Sequence, residues 1–314
     1  MRWPKLRRHP PCLGLDLGTT AIKAAVCRGR QWLTASVPAP PNGFTDHQVM
    51  TAAIAEAVSR TGWRGRRAVT AVTGDRVVAR YLRLPRMTAA ELKRGMAYEI
   101  ENYLPAGTQD MVVDWTIMDN SGDTDAKQMQ VILAAAPREQ VTRLYEVCRD
   151  AGLELAAIDL VPLALCRALV GAAAAAAILL DIGGRWSNLV LAREGRPLFS
   201  RVIAMGGGEL SSAAITGSSR TAELALEIRR SLDFYRSQFG TTFNPQQLIL
   251  TGGGAQLDGL AGYCQEEMGI PVIEGLPGTV MATPDAYARS RTSGELMDPA
   301  LAVAIGLALW GTKR

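Results

Sequence analysis

Along the first forty residues apolar and polar positions alternate, the period of a strand with one face buried. Cys12–Leu17 and Ala21–Arg28 therefore predict two strands, paired as a hairpin across Gly18, Thr19 and Thr20. A third strand over Gln31–Val37 follows the Gly29-Arg30 turn. Proline and glycine break the pattern at 39–43. From Gln48 to Thr61 the apolar spacing lengthens to that of a helix, which stops at Gly62. Ala68–Thr73 and Val77–Leu84 flank Gly74-Asp75 and predict a second hairpin.

The pattern over 82–155 has an order of its own: helix, strand, strand, helix. Thr88 and Glu91 form a capping box that opens a helix with Leu92, Met96, Ile100 and Tyr103 on one face. Two strand-like runs, 111–118 and 128–136, flank a polar turn. A second helix from near Pro137 turns Val141, Leu144 and Cys148 inward and ends at Gly152. Such an order inside a longer α/β chain predicts an inserted subdomain with its own small sheet. Further on, the alanine run at 172–177 leads into a buried strand. After the glycine- and serine-rich stretch 205–220, Leu224, Ile228, Leu232, Tyr235 and Phe239 mark one stripe of a long amphipathic helix, with Arg229, Arg230 and Arg236 off it as a solvated face. A buried strand then runs into Gly252-Gly253-Gly254 and a helix, an edge-like strand follows near 270–275, and an apolar helix closes the pattern.

Composition narrows this picture rather than changing it. A chain of 314 residues with 48% apolar side chains can build two medium domains or one split domain around a large core. Basic residues outnumber acidic ones 34 to 30, which gives no ground for a nucleic-acid partner. The basic opening MRWPKLRRHPP precedes no apolar run and reads as a solvated tail rather than a secretory signal. No stretch of about 20 apolar residues exists to span a bilayer. Five widely spaced cysteines suit reduced core thiols of the cytoplasm, and His9 and His47 are too few and too far apart for a metal site.

Candidate chemistry lies in a device written twice. At Asp16-Leu17-Gly18-Thr19-Thr20 a hairpin tip offers backbone N–H groups that a phosphate can approach closely, Asp16 suits a hydrated divalent cation, and Lys23 adds positive charge. Asp181, Gly183 and Gly184 repeat the arrangement, and Arg193, Gly195 and Arg196 echo Arg28, Gly29 and Arg30. Two such tips facing each other would clamp a polyphosphate. The triplet Gly252–Gly254 could admit a flat base against bare backbone and aim a helix N-terminus at negative charge, or serve only as a tight turn.

In this order and spacing the three motifs resemble phosphate 1, phosphate 2 and adenosine of the actin, Hsp70 and sugar-kinase superfamily, over nearly the whole chain. The resemblance implies an α/β, actin-like (ribonuclease H-like) two-lobed fold that binds ATP and Mg. It implies nucleotide contacts at Asp16, Gly18, Thr19, Thr20, Lys23, Asp181, Gly183, Gly184, Gly252, Gly253 and Gly254, with Mg held through water by Asp16 and Asp181. The segment AVTGDRVVARYLRLP followed by ELKRGMAYEIENYLP resembles subdomain 1C of the FtsA and PilM families. EIRRSLDFYRSQF, DIGGRWSNLVL and LILTGGGAQLDGLAGYCQEEMGIPV resemble the PilM family of cytoplasmic type IV pilus assembly proteins. The implied plan is a tail at 1–11, subdomain 1A at 12–81, 156–177 and 296–314, and an inserted 1C at 82–155. Subdomain 2A takes 178–205 and 240–295, and a reduced 2B takes 206–239.

The resemblance also implies a partner: the N-terminal cytoplasmic peptide of a PilN-like inner-membrane protein, docked in a groove between 1A and 1C, with the pilus motor or platform proteins beyond it. Met96, Tyr103 and Trp115 are candidates to line that contact, or to pack a core. The implied place is the inner face of the cytoplasmic membrane, reached indirectly. Two features depart from the family. The stretch between phosphate 2 and the EIRRSLDFY helix is short, so Glu223 and Glu227 are the nearest stand-ins for residues that hold base and ribose. Leu169 falls where actin carries a water-positioning glutamine, so hydrolysis is expected to be slow or absent. Asp159 is the one acid near that hinge, a general base or a helix cap. The alternatives are a nucleotide-free scaffold of a related secretion or competence system, an FtsA-like division protein, and a small-molecule kinase. The ending LALWGTKR, without an amphipathic membrane helix, counts against the second, and the lack of an evident base or substrate domain counts against the third.

Overall fold

The computed structural model describes residues 11–28, 31–41, 45–103, 110–118, 127–170, 176–210, 219–240, 243–277 and 298–311. The tail, the Gly29-Arg30 turn, the polar turn at 119–126, the alanines at 172–175 and the stretch 211–218 lie outside them. The chain divides into a larger unit, Met1–Ala71 with Tyr145–Arg314, and a smaller one, Val72–Leu144.

The larger unit opens with β1 (Leu13–Leu17), β2 (Ala21–Arg28), β3 (Gln31–Pro38), α1 (His47–Arg60) and β4 (Arg67–Val72). The chain then builds β5 (Val78–Pro85), α2 (Ala89–Tyr103), β6 (Met111–Met118), β7 (Gln128–Pro137) and α3 (Arg138–Asp150). It continues with β8 (Glu154–Leu160), α4 (Val161–Leu169), β9 (Ala177–Ile182), β10 (Ser187–Arg193) and β11 (Arg196–Ile203). The last part holds α5 (Gly207–Leu210), α6 (Ser219–Phe239), β12 (Gln247–Thr251), α7 (Leu260–Met268), β13 (Val272–Glu274) and α8 (Ala302–Ala308).

Two five-stranded sheets of the larger unit share one wiring: β3-β2-β1-β4-β8 and β11-β10-β9-β12-β13. Each starts as an antiparallel meander, and its fourth strand returns parallel to the first, β4 beside β1 and β12 beside β9. The sequence repeat is thus a repeated sheet. Between β12 and β13 lies α7; between β4 and β8 lies the smaller unit.

That wiring corrects one expectation. Ala68–Thr73 and Val77–Leu84 do not pair as a hairpin: β4 sets Leu13 opposite Ala68, whereas β5 pairs antiparallel with β7, Val78 opposite Ala135. The reason is burial. Ala68, Val69 and Thr70 are wholly buried, which suits a strand inside a covered sheet, and a two-residue turn signal cannot outweigh that.

The core joins the two sheets through α4 and α8. Leu165 and Leu169 of α4 and Ile305 and Leu307 of α8 pack in one cluster with Val69 from the first sheet and Leu179, Val190 and Ile249 from the second. Small residues let these elements approach. A Cβ on Gly306 would stand 1.9 Å from the Ala164 carbonyl oxygen, and one on Gly14 1.9 Å from that of Ala304. Arg167 of α4 donates from Nε to the Gly306 carbonyl at 2.8 Å, and its guanidinium pairs with Asp159. The stripe predicted on α6 is present, with Leu224, Ile228, Leu232 and Tyr235 buried against the second sheet's strands and α7. Off the stripe, Arg229 pairs with Glu267 and Arg230 with Glu227.

In the smaller unit the sheet order is β5-β7-β6. Helix α2 lays Leu92 and Met96 on Met129, Val131 and Leu133. The capping box forms as read: the Thr88 N–H donates to Glu91 Oε2 at 2.8 Å and the Glu91 N–H to Thr88 Oγ1 at 3.3 Å. No described helix is long and apolar enough to cross a membrane.

Candidate functional site

Strand register places the first set of charged groups. Asp16 on β1 lies opposite Lys23 on β2, so their side chains share one face, and Nζ of Lys23 donates to Oδ2 of Asp16 at 3.0 Å. Both are largely shielded, with side chains 14% and 18% exposed for Lys23 and Asp16. Burial works against the Lys23 ammonium, yet the carboxylates of Asp16, Asp181 and Asp298 outweigh it and leave its pKa raised. The Gly18 N–H donates to the Ala21 carbonyl at 3.1 Å and closes the turn at the tip.

The second tip repeats this register with one exchange. Asp181 on β9 lies opposite Asn188 on β10, whose Nδ2 donates to Asp181 Oδ2 at 3.0 Å. Asparagine therefore stands where the first copy has lysine. Asp181 is only 7% exposed. Burial first, and the Asp16 charge second, push its carboxyl up to about 6, against the pull of Lys23 and Asn188. The Gly183 N–H donates to the Trp186 carbonyl at 3.0 Å, and the Arg185 guanidinium lies 4.9 Å above the Trp186 ring.

The two tips meet. A Cβ on Gly184 would lie 2.3 Å from Cγ2 of Thr20 and 2.9 Å from Oγ1 of Thr19. Behind the second tip, Gly206 to Gly208 pass backbone on backbone: a Cβ on Gly206 would stand 2.3 Å from the Gly184 oxygen, and the Gly207 N–H donates to Gly183 at 2.8 Å.

The third motif joins the same cluster. Gly252 has φ +83°, and a Cβ there would meet the Ile182 carbonyl oxygen at 2.5 Å and Asp181 Oδ1 at 2.7 Å. Gly254 is as tight against Ile182, while Gly253 faces open space within 4 Å. The triplet leads into a 3-10 turn, Gly253–Gln256, and α7 starts only at Leu260. The expected helix N-terminus therefore does not follow the triplet directly, because Leu257 to Gly259 intervene. Pro299 ties the far side, accepting from the Gly252 N–H at 3.1 Å and from Thr251 Oγ1 at 2.7 Å.

All the predicted tip residues thus come together in the larger unit. Sequence reasoning missed Gly206 to Gly208 and Asp298 as parts of the site. Carrying the Asp16–Lys23 spacing onto Asp181 leads to Asn188, which the structure pairs with that carboxylate; Asp298 arrives from the chain's far end and left no local signal. The other candidates sit elsewhere. Met96 is buried in the small unit's core, with Tyr103 and Trp115 half-buried against it. Asp159 accepts from the Leu160 N–H at 2.8 Å and is neutralised by Arg167, so it caps no helix: Leu160 holds the N-cap position of α4. Leu169 is buried in the core. Glu223 pairs with Arg220, and Glu227 with Arg201 and Arg230.

The donor set fits a magnesium polyphosphate. Two carboxylates can hold a hydrated hard cation, and Lys23 with the glycine-rich tips can hold phosphate. A buried Asp181 with a raised pKa is the kind of group a cation would relieve. Among the described residues no three histidine, cysteine or acidic side chains converge as a ready metal cage. Any cation there would keep water and phosphate ligands, as Mg does.

Comparison with known proteins agrees with the doubled sheet. The chain is similar to the protein of a PilM–PilN type IV pilus biogenesis complex, with 28% identity and a TM-score of 0.78, covering 97% of this chain and 99% of that one. It also resembles the ethanolamine utilization protein EutJ from Carboxydothermus hydrogenoformans, with 16% identity and a TM-score of 0.51, covering 97% and 91% of the two chains. No curated protein matches the sequence. The fold is actin-like. The model of the type IV pilus assembly protein PilM family matches residues 14–217, about two thirds of the sequence, and the chain belongs to that family.

Proposed function

We propose that this chain is a cytoplasmic, actin-like adaptor of type IV pilus assembly, peripheral to the inner face of the membrane, which takes Mg-ATP at the paired tips and docks the N-terminal cytoplasmic peptide of a PilN-like inner-membrane protein. The observation that carries the nucleotide part is the convergence of Asp16, Lys23 and Asp181 beneath Gly18–Thr20 and Gly183-Gly184. Asp16 and Asp181 would hold the hydrated cation, Lys23 and the tip amides the phosphates, and the open face at Gly253 the base. The cation would supply positive charge that Lys23 alone does not give to the facing carboxylates. Hydrolysis is slow or absent in this reading, since Asp159 is tied to Arg167 and Leu169 offers no polar atom.

The partner reading rests on the full-length likeness to the PilM–PilN complex. The inserted segment 82–155 is the part assigned to that contact, through an extended peptide of the kind that adds to a sheet edge or fills an apolar groove. Calorimetry tests both halves. Mg-ATP should bind the unmodified chain and lose at least tenfold in affinity with Asp16→Ala, and a synthetic PilN-type N-terminal peptide should bind with or without nucleotide. Binding of the peptide but not of ATP would leave an adaptor without nucleotide.

A further inference from the structure

We infer that the edge of the first sheet farthest from the tips is a basic face that lies directly on an anionic bilayer, with no protein between. This contact rests on the peripheral placement proposed above and adds lipid head groups as a second thing the chain binds. Strand direction defines the edge. β1 runs from Leu13 to Asp16 and the tip, and β4 lies parallel beside it, with Ala68 opposite Leu13, so Cys12 and Arg67 mark the far end. β2 runs the other way and carries Arg28 back past Gly14, which lies opposite Ala25. The Glu154 N–H donates to the Arg66 carbonyl at 2.7 Å and brings the start of β8 to the same place. α8 follows Asp298, whose charge reaches Lys23, and packs Ala304 and Ala308 on Gly14, so Trp310 and Gly311 also emerge here.

Charge sets this edge apart. Arg28 and Arg64 are exposed and meet no acid among the described residues. Arg67 donates from Nε to Cys12 Sγ at 3.1 Å, and its guanidinium lies 6.0 Å from the Trp310 ring. The acids nearby are already matched: Glu154 lies 3.4 Å from Arg66, and Asp150 2.8 Å from both Arg149 and His47. The chain on either side of the edge adds to the surplus. Arg2, Lys5, Arg7 and Arg8 precede Pro11, and Lys313 and Arg314 follow Gly311. The tip end has the opposite sign, with Asp16, Asp181 and Asp298 around Lys23. A net charge of only +4 thus covers a basic edge and an acidic site. Trp32, Trp63 and Trp310 stand half-buried among these arginines, the amphipathic side chains that suit a membrane–water boundary. Each arginine near an anionic leaflet is attracted within a Debye length, about 10 Å at 0.1 M salt. A nucleic acid offers phosphates too, but these groups come from strand ends about 4.8 Å apart, a row that meets a plane and presents no helix to a groove.

Vesicle sedimentation of the full chain alone tests the contact. At about 0.1 M salt the protein should pellet with vesicles of phosphatidylcholine containing one third phosphatidylglycerol. It should stay in solution with phosphatidylcholine alone, and about 1 M salt should release it. Arg28→Glu with Arg64→Glu reverses two exposed charges without breaking an ion pair, so the urea midpoint should hold while vesicle binding falls about tenfold or more. Arg220→Glu with Arg230→Glu makes the same change of charge on α6, where only exposed surface pairs are lost, and should leave most of the binding. Equal loss in both double variants overturns the edge as the binding face. Tighter binding to duplex DNA than to the anionic vesicles, read by fluorescence anisotropy at the same salt, overturns the bilayer as the occupant. Failure to pellet while a PilN-type peptide still binds in calorimetry overturns the direct contact and leaves the adaptor. Failure of both overturns the peripheral placement as well.

Discussion

Asp181 offers a stability measurement that tests the electrostatics of the site without any ligand. Its carboxyl is lifted from an ordinary 3.8 to about 6, chiefly by burial. The folded protein therefore keeps this proton over a pH range where the unfolded chain has released it. Between about pH 4 and pH 6 the native state binds more protons at this group, so its contribution to stability falls as pH rises through that window and is constant above it. The gap of about two pH units, at about 1.4 kcal/mol each, is a penalty of roughly 3 kcal/mol at pH 7.5. Asp181→Asn keeps the shape, and its carbonyl can still accept from Asn188, but it never ionises. Urea unfolding followed by tryptophan fluorescence should show the variant more stable by about 2–3 kcal/mol at pH 7.5 and about equal at pH 4. Its stability should also lack the loss that the unmodified chain shows between those values. Mg-ATP binding should weaken at the same time, the cost of a site kept charged for its ligand. A variant no more stable at pH 7.5, or one with the same pH slope as its parent, would refute the account of a strained buried carboxylate.

Two further substitutions probe the core that joins the sheets. Gly306→Ala puts a methyl 1.9 Å from the Ala164 carbonyl oxygen, where the clash is with backbone, so α4 and α8 must separate. The urea midpoint should fall by the equivalent of about 3 kcal/mol or more. Arg167→Ala leaves Asp159, 9% exposed, without its cation. It should cost about 3 kcal/mol, and Asp159→Asn in the same chain should return part of that, since a neutral amide tolerates burial better than a lone carboxylate.

The parts of this molecule that are written locally were legible in the residues. The Asp-x-Gly tips, the Thr88–Glu91 box and the α6 stripe each depend on neighbours a few positions apart, through turn chemistry, capping bonds and side-chain period. They form as read. The same holds for the carboxylates: once two hairpins are recognised, strand period puts Asp16 and Asp181 on equivalent faces.

What a strand pairs with at long range is a different matter. Nothing between Ala68 and Leu84 says that β4 turns back to β1 while β5 joins β7, because both pairings satisfy the same local pattern. The choice falls to whichever arrangement buries Val69 and Thr70 on both faces. The glycines at 206–208, the arrival of Asp298, and the touching of Thr20 and Gly184 belong to the same class. Each is a contact between segments far apart in the chain, set by how two sheets and two helices fill one core. Local periodicity carries no term for that packing. So the residues alone name a clamp, and packing sets how far its tips stand apart.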